Sequence, residues 1–554
     1  MKNLSLTQNK NFLAERNPLK NPLFLLLAVL YATVLFIDGM REPLYCDESS
    51  FLKNLCGFFV FRTTVPAFTN YPTFFSYLIA LPVYLVYFVY YILVRHFPLD
   101  GIFDPSLFAI IFQCDLPIFL WVGRIIGIFF AVTTMALVFK YCVSRLAKPA
   151  SLLALSLLFC SPFGFYMSHA RYALPDIFVA FMATSVLIKV VEYIETSQAK
   201  SLYLAGLLAG LAGSAKLNGL FAVAPILVAP WVVPGKLGDR LRVNSLVLIV
   251  AFLGFFVGSP LYILNPEIFQ TGFNLESSIL FGSSGGIDFQ WLLPALWKED
   301  PVTTVLVLGA IAFSVWRHSR RDMVFHALLI PSVICLGSLS KQMPYYMLFL
   351  FPWLCVLSGE MFEVLISHAK KGVWRGLVIA VMLGIIVNGG CKLAYRLWQN
   401  SRVDNRVIAA DWIRKNIPAS DHILFDRDFI PIIGTFYDLD VLDYKDYSLK
   451  KEYKAIFREY VKRDIPCYFD YWRGDSLVAD MKEQGWKYFV TSNYLFNAYL
   501  TPPSQSLFVQ KGTAAAFQTF LWYRIFYSQL FHEKLDLKVI EEGSGPKIYI
   551  FRLL

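Results

Sequence analysis

Residues 21–51 read NPLFLLLAVLYATVLFIDGMREPLYCDESSF. The apolar run near 22–38 approaches the ~20 residues that a helix needs to span a bilayer. A basic, polar start precedes it, with Lys2, Lys10, Arg16 and Lys20. No small-residue cleavage site stands before DGMREP, so the run reads as a retained anchor. Two adjacent carboxylates, Asp47 and Glu48, follow a few residues later. Ionisable groups at a membrane edge are costly and ask for a purpose.

The rest of the chain fits that start. Its 554 residues are 57% hydrophobic, 17% aromatic and only 16% charged, which excludes a soluble multidomain protein. Residues 391–554 hold 43 of the 50 basic and 40 acidic residues. We therefore expect a membrane domain over 1–390 and a water-soluble domain over 391–554. The net charge of +10 does not point to nucleic acid, because cytoplasmic loops of membrane proteins collect Lys and Arg. Nine cysteines follow no ligand spacing. Cys46, Cys56 and Cys114 fall on the outer side in this reading; free thiols are the simpler expectation, with one disulfide the alternative.

Apolar runs occur near 22–38, 73–94, 117–139, 150–167, 174–191, 202–215, 218–234, 243–263, 303–316, 323–340, 343–361 and 374–390. Basic clusters decide which of them cross. Lys140, Arg145 and Lys148 form one; Lys236, Arg240 and Arg242 a second; Arg317, Arg320 and Arg321 a third; Lys370, Lys371 and Arg375 a fourth. The positive-inside rule makes all four loops cytoplasmic, together with the N-terminus. This requires 73–94 to lie at the outer surface as an interfacial helix. The fold expected is thus a polytopic α-helical membrane protein of about 11 spans. The charged C-terminal region then lies outside. Asp47, Glu48, His169, Arg171, Asp176, Lys216, Asn218 and Lys341 all fall on that same outer face. In the C-terminal part, NRVIAADWIRKNIP reads as a helix, and HILFD, KYFVTS, DLKVIEE and KIYIFRLL as strands, which gives a small α/β extracytoplasmic domain. The apolar stretch at 504–531 reads as a helix leaning on the membrane or on the other domain. GSSGG at 282–286 lacks the Lys-Ser/Thr of a phosphate loop.

Six stretches occur in a recognisable order: CDESSF, FTNYPTFFSYLIALPVYL, VGRIIGIFFAVTTMALVFKY, SHARYALPDIFVAF, LAGLLAGLAGSAKLNGL and SKQMPYYMLFLFPWL. Together with AADWIRKNIPASDHILFD they resemble the protein O-mannosyltransferase-like membrane glycosyltransferases of the C superfamily. That group includes the lipid A aminoarabinose transferases. The resemblance covers most of residues 22–430. It implies a polyprenyl-phosphate-linked sugar donor, attacked on the extracytoplasmic side of an inner or plasma membrane, and juxtamembrane helices in the first outer loop. The aminoarabinose transferases have an acidic–basic pair before a proline where this chain has Asn70-Tyr71-Pro72, so the resemblance does not carry lipid A chemistry. Neither sugar nor acceptor (lipid, glycan or protein) is specified.

Inverting sugar transfer needs a base for the acceptor hydroxyl. Asp47 matches the family's acidic residue after the first span, which makes it the expected base; Glu48 would bind substrate or orient a helix. Asp47 before ESSFLKNL also reads as a helix N-cap, and one residue can do both. Asp176 closes RYALPD and is expected to place the acceptor, or to pair with Arg171 and fix the loop. His169 is expected in hydrogen bonding, because no second His or Cys stands at ligand spacing. The departing lipid phosphate needs cations. Lys216 and Lys341 are the candidates, with Arg62 and Arg171 behind them. The alternative for each Lys is snorkelling to headgroups. Asn218 and Tyr345 complete the substrate-binding set, Tyr345 also reading as an interfacial aromatic. The aromatic stretch FFVFRTTVPAFTNYPTFFSYL serves equally as a groove for a prenyl tail or as a lipid-bedded surface. No metal site or cofactor is called for, although a divalent cation is compatible with the acids. The competing reading is a transporter or lipid flippase. Transporters tend to show internal repeats and broken, charged helices at mid-membrane. Here no repeat is visible and the polar groups share one edge.

Overall fold

The computed structural model describes residues 22–41, 48, 51, 54–55, 57–59, 62–66, 71–93, 116–161, 169–267, 269–270, 273–274, 277, 292–338, 344–369, 372–418, 421, 423–425, 482–483, 485, 487–493, 528, 530–532, 535–543, 546–548 and 549–553. Within them, each of the twelve apolar runs carries a helix. They are α1 (Pro22–Arg41), α2 (Phe74–Leu93), α3 (Leu116–Arg145), α4 (Lys148–Cys160), α5 (Pro175–Thr196), α6 (Ala199–Ala215), a 3-10 turn (Leu217–Ala222) leading into α7 (Val223–Val232), α8 (Leu237–Gly258), short α9 (Pro260–Leu264) and α10 (Leu292–Glu299), α11 (Pro301–Arg317), α12 (Arg320–Gly337), a second 3-10 stretch (Pro344–Leu350) running into α13 (Phe351–His368), and α14 (Val373–Asn400). Five stretches are long and apolar enough to cross a membrane: Phe119–Arg145, Pro175–Thr196, Leu237–Gly258, Tyr345–His368 and Val373–Gln399. Others are apolar but shorter. The 13 residues of α4 rise only about 20 Å, against a hydrocarbon core of about 30 Å. The chain is a mostly helical, multi-pass membrane protein.

Helix α2 has two apolar faces. Phe75, Ile79, Val83 and Tyr87 recur every fourth residue and are buried against the bundle; Leu81, Leu85 and Val89 point outward and are exposed. Its inner face packs on α3 and α6.

Small residues set the closest helix contact, that of α6 with α8. A Cβ built on Gly210 would stand 2.0 Å from the Ala251 carbonyl oxygen, and one on Gly254 2.5 Å from that of Leu207. Without a hydrophobic drive inside a bilayer, such close backbone approach is what holds helices together. Gly210→Ala is therefore expected to force the pair apart and cost about 1–3 kcal/mol, as overpacking does. Thermal unfolding in detergent checks it: a melting temperature equal to that of the unmodified chain would mean the seam is loose.

Charges sort to the two ends of the bundle. At one end Glu195, in the last turn of α5, binds Arg145 at 2.6 Å and Arg321 at 2.9 Å, while Arg317 joins Asp322 and Glu360 at 2.5 and 2.6 Å. Basic residues from two separate loops thus meet, as their common assignment to one side requires. Asp176 opens α5 at the other end, about 28 Å away along the axis at 1.5 Å per residue.

In the C-terminal part α15 (Asn405–Asn416) packs on a four-stranded sheet: β1 (Ile423–Phe425), β2 (Tyr488–Ser492), β3 (Asp536–Ile540) and β4 (Ile548–Arg552), in the order β1-β2-β4-β3. β1 runs parallel to β2, and both pairings of β4 are antiparallel. Ala409 and Ile413 of the helix share a core with Val490, Ile540, Ile548 and Ile550. The helix and all four strands fall where the pattern of apolar alternation puts them. The 282–286 loop, most of 504–531, and Cys46, Cys56 and Cys114 lie outside the described residues.

Candidate active site

The site is assembled around the turn at 169–174, between α4 and α5. Two glycines one helical turn apart on α3 let that turn come close. A Cβ at Gly127 would lie 2.8 Å from the Tyr172 carbonyl oxygen, and one at Gly123 2.7 Å from the Ala173 Cβ. Between them stands Arg124, fully buried. Its guanidinium donates to both Glu48 carboxylate oxygens, at 2.9 and 2.6 Å, and to the Gly39 carbonyl. This forked geometry is what arginine offers a carboxylate. Glu48 accepts a further hydrogen bond from the Ala173 backbone N–H at 2.7 Å. One buried carboxylate thereby ties the segment after α1 to α3 and to the 169–174 turn.

A second pair stands beside it. Arg171 bridges to Asp38 at the end of α1, and its guanidinium also donates to the Tyr172 hydroxyl at 3.1 Å. The sequence expectation of an Arg171–Asp176 pair is thereby corrected. Pro175 fixes the first turn of α5, and Asp176 follows it. There the carboxylate meets Lys216, at 2.8 Å. Helices α5 and α6 are antiparallel neighbours, so an N-terminal turn lies beside a C-terminal end. The macrodipoles favour an anion at the first and a cation at the second, where Asp176 and Lys216 are. Lys216 is buried, so it does not snorkel to headgroups. Its ammonium stands 5.4, 5.8 and 5.3 Å from the ring centres of Tyr71, Tyr345 and Tyr346. Among the described residues, Asp176 takes its one hydrogen bond, although an ammonium carries three donors.

His169 packs on Tyr345, with ring centres 4.5 Å apart, and lies edge-on to Tyr172. Burial lowers its imidazole to about 4; Asp176 opposes the shift, while Lys216, Arg171 and Arg396 add to it. His169 is thus neutral near pH 7, suited to a hydrogen bond and not to charge neutralisation. Arg396, in the last turns of α14, is close enough to be felt there. Asn218 lies in the 3-10 turn after Lys216; its Oδ1 is buried and meets no hydrogen-bond donor among the described residues. Asp47 and Lys341 lie outside the described residues. Among the described residues, no three His, Cys, Asp or Glu stand together as a metal would require.

The structure thus brings Glu48, His169, Arg171, Asp176, Lys216 and Tyr345 around one turn. It adds Asp38, Tyr71 and Arg124, which the sequence reading did not select. Arg124 carried a signal: a lone arginine inside an otherwise apolar span is expensive and needs a partner. Asp38 closes an apolar run in the same way.

Residues 117–266 match the family described as dolichyl-phosphate-mannose-protein mannosyltransferase. The matched segment contains Arg124, His169, Arg171, Asp176, Lys216 and Asn218. Among solved structures, ArnT from Cupriavidus metallidurans bound to undecaprenyl phosphate is similar at 13% identity and a TM-score of 0.49, covering 95% of this chain and 97% of that one. The Archaeoglobus fulgidus oligosaccharyltransferase, in complex with Zn and sulfate, is 13% identical with a TM-score of 0.43, covering 86% of this chain and 69% of its own. Arabinosyltransferase EmbB from Mycobacterium smegmatis is 11% identical with a TM-score of 0.41, covering 68% and 40%. No curated protein sequence matches the chain.

Proposed function

We propose that the chain, which carries a dolichyl-phosphate-mannose-protein mannosyltransferase domain at residues 117–266, is a membrane glycosyltransferase that moves one sugar from a polyprenyl-phosphate donor to an acceptor on the extracytoplasmic face, with inversion. Asp47 is the base. It takes the acceptor's proton as the acceptor oxygen attacks the anomeric carbon. The bond from that carbon to the phosphate oxygen breaks, and its electron pair leaves with the polyprenyl phosphate. That leaving group is a weak base and needs positive charge, not a proton. Lys216 supplies it, with Lys341 and Arg171 nearby in role.

One observation carries this reading. Glu48, the residue next to Asp47 in the chain, is hydrogen-bonded to the Ala173 N–H. The first outer loop is thereby fastened to the turn that bears His169, Arg171 and Asp176. The tyrosines at 71, 345 and 346 around Lys216 support a sugar or lipid face beside the cation. In the topology proposed, the shorter apolar helices cross as well, giving eleven spans, and α2 lies at the outer surface. Domain 1–390 bears the catalytic site and 391–554 faces the external water. Helix α14 runs unbroken through that boundary.

The reading is tested by mass spectrometry of surface glycans and glycolipids from cells with and without the gene. Loss of one hexose or pentose from one class of molecule is expected. Identical profiles would remove the proposal. A narrower test concerns Lys216. Replacing both members of the buried pair, Lys216→Met with Asp176→Leu, is expected to keep the fold. It weakens binding of polyprenyl phosphate at least about tenfold, the scale of one lost charge-assisted contact. Unchanged binding by microscale thermophoresis would take the phosphate away from Lys216.

A further inference from the structure

A cavity of about 760 Å³ lies between the segment at 58–64 and the outer side of α2. That is the size range of a small-ligand pocket. Phe58, Phe59, Ala80 and Leu81 give it apolar walls. Tyr77 and Tyr84 also line it, but both hydroxyls are engaged: Tyr77 donates to the Thr64 carbonyl and Tyr84 to the Leu55 carbonyl, each at 2.8 Å. The two rings therefore offer the cavity carbon surface.

Arg62, Thr63 and Thr64 give its lining polar groups. Arg62 is exposed, and among the described residues no carboxylate pairs with it. Its backbone is in the left-handed region, φ +50°. That conformation favours glycine, and an arginine held in it marks a place where the side chain matters more than local ease. Hydrogen bonds from the Arg62 N–H to Phe59 and from the Thr63 N–H to Phe58 close the turn that presents it. Leu81, also in the lining, is 76% exposed and belongs to the apolar exposed face of α2 that continues through Leu85 and Val89. The cavity thus joins a cation with two hydroxyls to a surface suited to hydrocarbon. Along α2 its lining runs from Tyr77 to Tyr84, about 5–15 Å from the start of the helix at Phe74.

We infer that this cavity binds one anionic membrane lipid, its phosphate on Arg62 and the threonine hydroxyls and its chain laid over Ala80 and Leu81 along α2. Arginine suits a phosphate as a fork of donors. The inference needs only a chain that sits in a bilayer. It stands or falls separately from sugar transfer.

Native mass spectrometry of the full-length chain, delipidated in detergent and titrated with phosphatidylglycerol, tests it. The unmodified chain is expected to retain one phosphatidylglycerol at least tenfold more tightly than phosphatidylcholine. Arg62→Gly should lose at least tenfold in that affinity, while its melting temperature in lipid-free detergent stays equal or rises, because glycine accepts the left-handed backbone. Ala80→Trp, which fills the cavity, should lose both lipids. Equal retention of the two lipids, or undiminished phosphatidylglycerol binding by Arg62→Gly, overturns the inference. So does a lower lipid-free melting temperature for Arg62→Gly, which would make the residue structural. Displacement of the lipid by millimolar inorganic phosphate would assign the site to a soluble anion instead.

Discussion

Asp47→Asn is expected to slow sugar transfer by about 10²–10⁴-fold, the usual worth of a positioned general base. The amide has the shape of the carboxylate and cannot take the acceptor's proton. Folding should be unaffected, and so should binding of polyprenyl phosphate, because the mechanism proposed has cations recognise the leaving group. The comparison must therefore be made at saturating donor, with melting temperature and carrier binding measured on the same preparation. A second carboxylate is close at hand in the chain, but Glu48 cannot replace Asp47. Both of its oxygens are held by Arg124 and one also by the Ala173 N–H. Transfer by purified Asp47→Asn at the ordinary rate would remove Asp47 as the base.

Arg124→Leu is the substitution expected to harm the fold most. The side chain is fully buried and holds Glu48, itself fully buried, with two hydrogen bonds. Breaking a buried pair by removing one partner costs about 3–5 kcal/mol, because the other charge is left in a low-dielectric place. The Gly39 carbonyl loses a donor at the same time. Unfolding in detergent should show this as a large drop in melting temperature. The double substitution Arg124→Leu with Glu48→Leu should regain part of the loss, since an apolar pair can replace a buried ionic one. It should regain no activity, because the tie between the segment after α1 and the 169–174 turn is gone. Full stability of the single variant would show that the pair carries no structural load.

The helices were legible because each is written locally. Apolar runs, basic clusters and the Pro175 start are all short-range features, and the strands at 488–492 and 548–552 announce themselves by alternation. Glu48, Arg171, Asp176 and Lys216, which meet around the 169–174 turn, were singled out for the same reason: ionisable groups at the ends of apolar runs are few. Their partners were not. Arg171 lies five residues from Asp176, and nearness in the chain suggested that pair. The helix beginning at Pro175 instead turns Asp176 toward Lys216, 40 residues away, and Arg171 reaches back 133 residues to Asp38. Such choices depend on close approach: the glycines at 123 and 127 admit the 169–174 turn against α3, and Gly210 admits α8 against α6, by permitting contact and not by any pattern of hydropathy.

The most direct measurement is donor turnover by the purified full-length chain. Polyprenyl-phosphate-linked sugars are supplied with an extract of membrane acceptors, and free polyprenyl phosphate is counted by lipid mass spectrometry. The unmodified chain is expected to release one polyprenyl phosphate for each sugar gained by the acceptor, and Asp47→Asn to bind the donor but release almost none. Donor that stays intact with the unmodified chain while crossing from one leaflet to the other would contradict the proposed transfer.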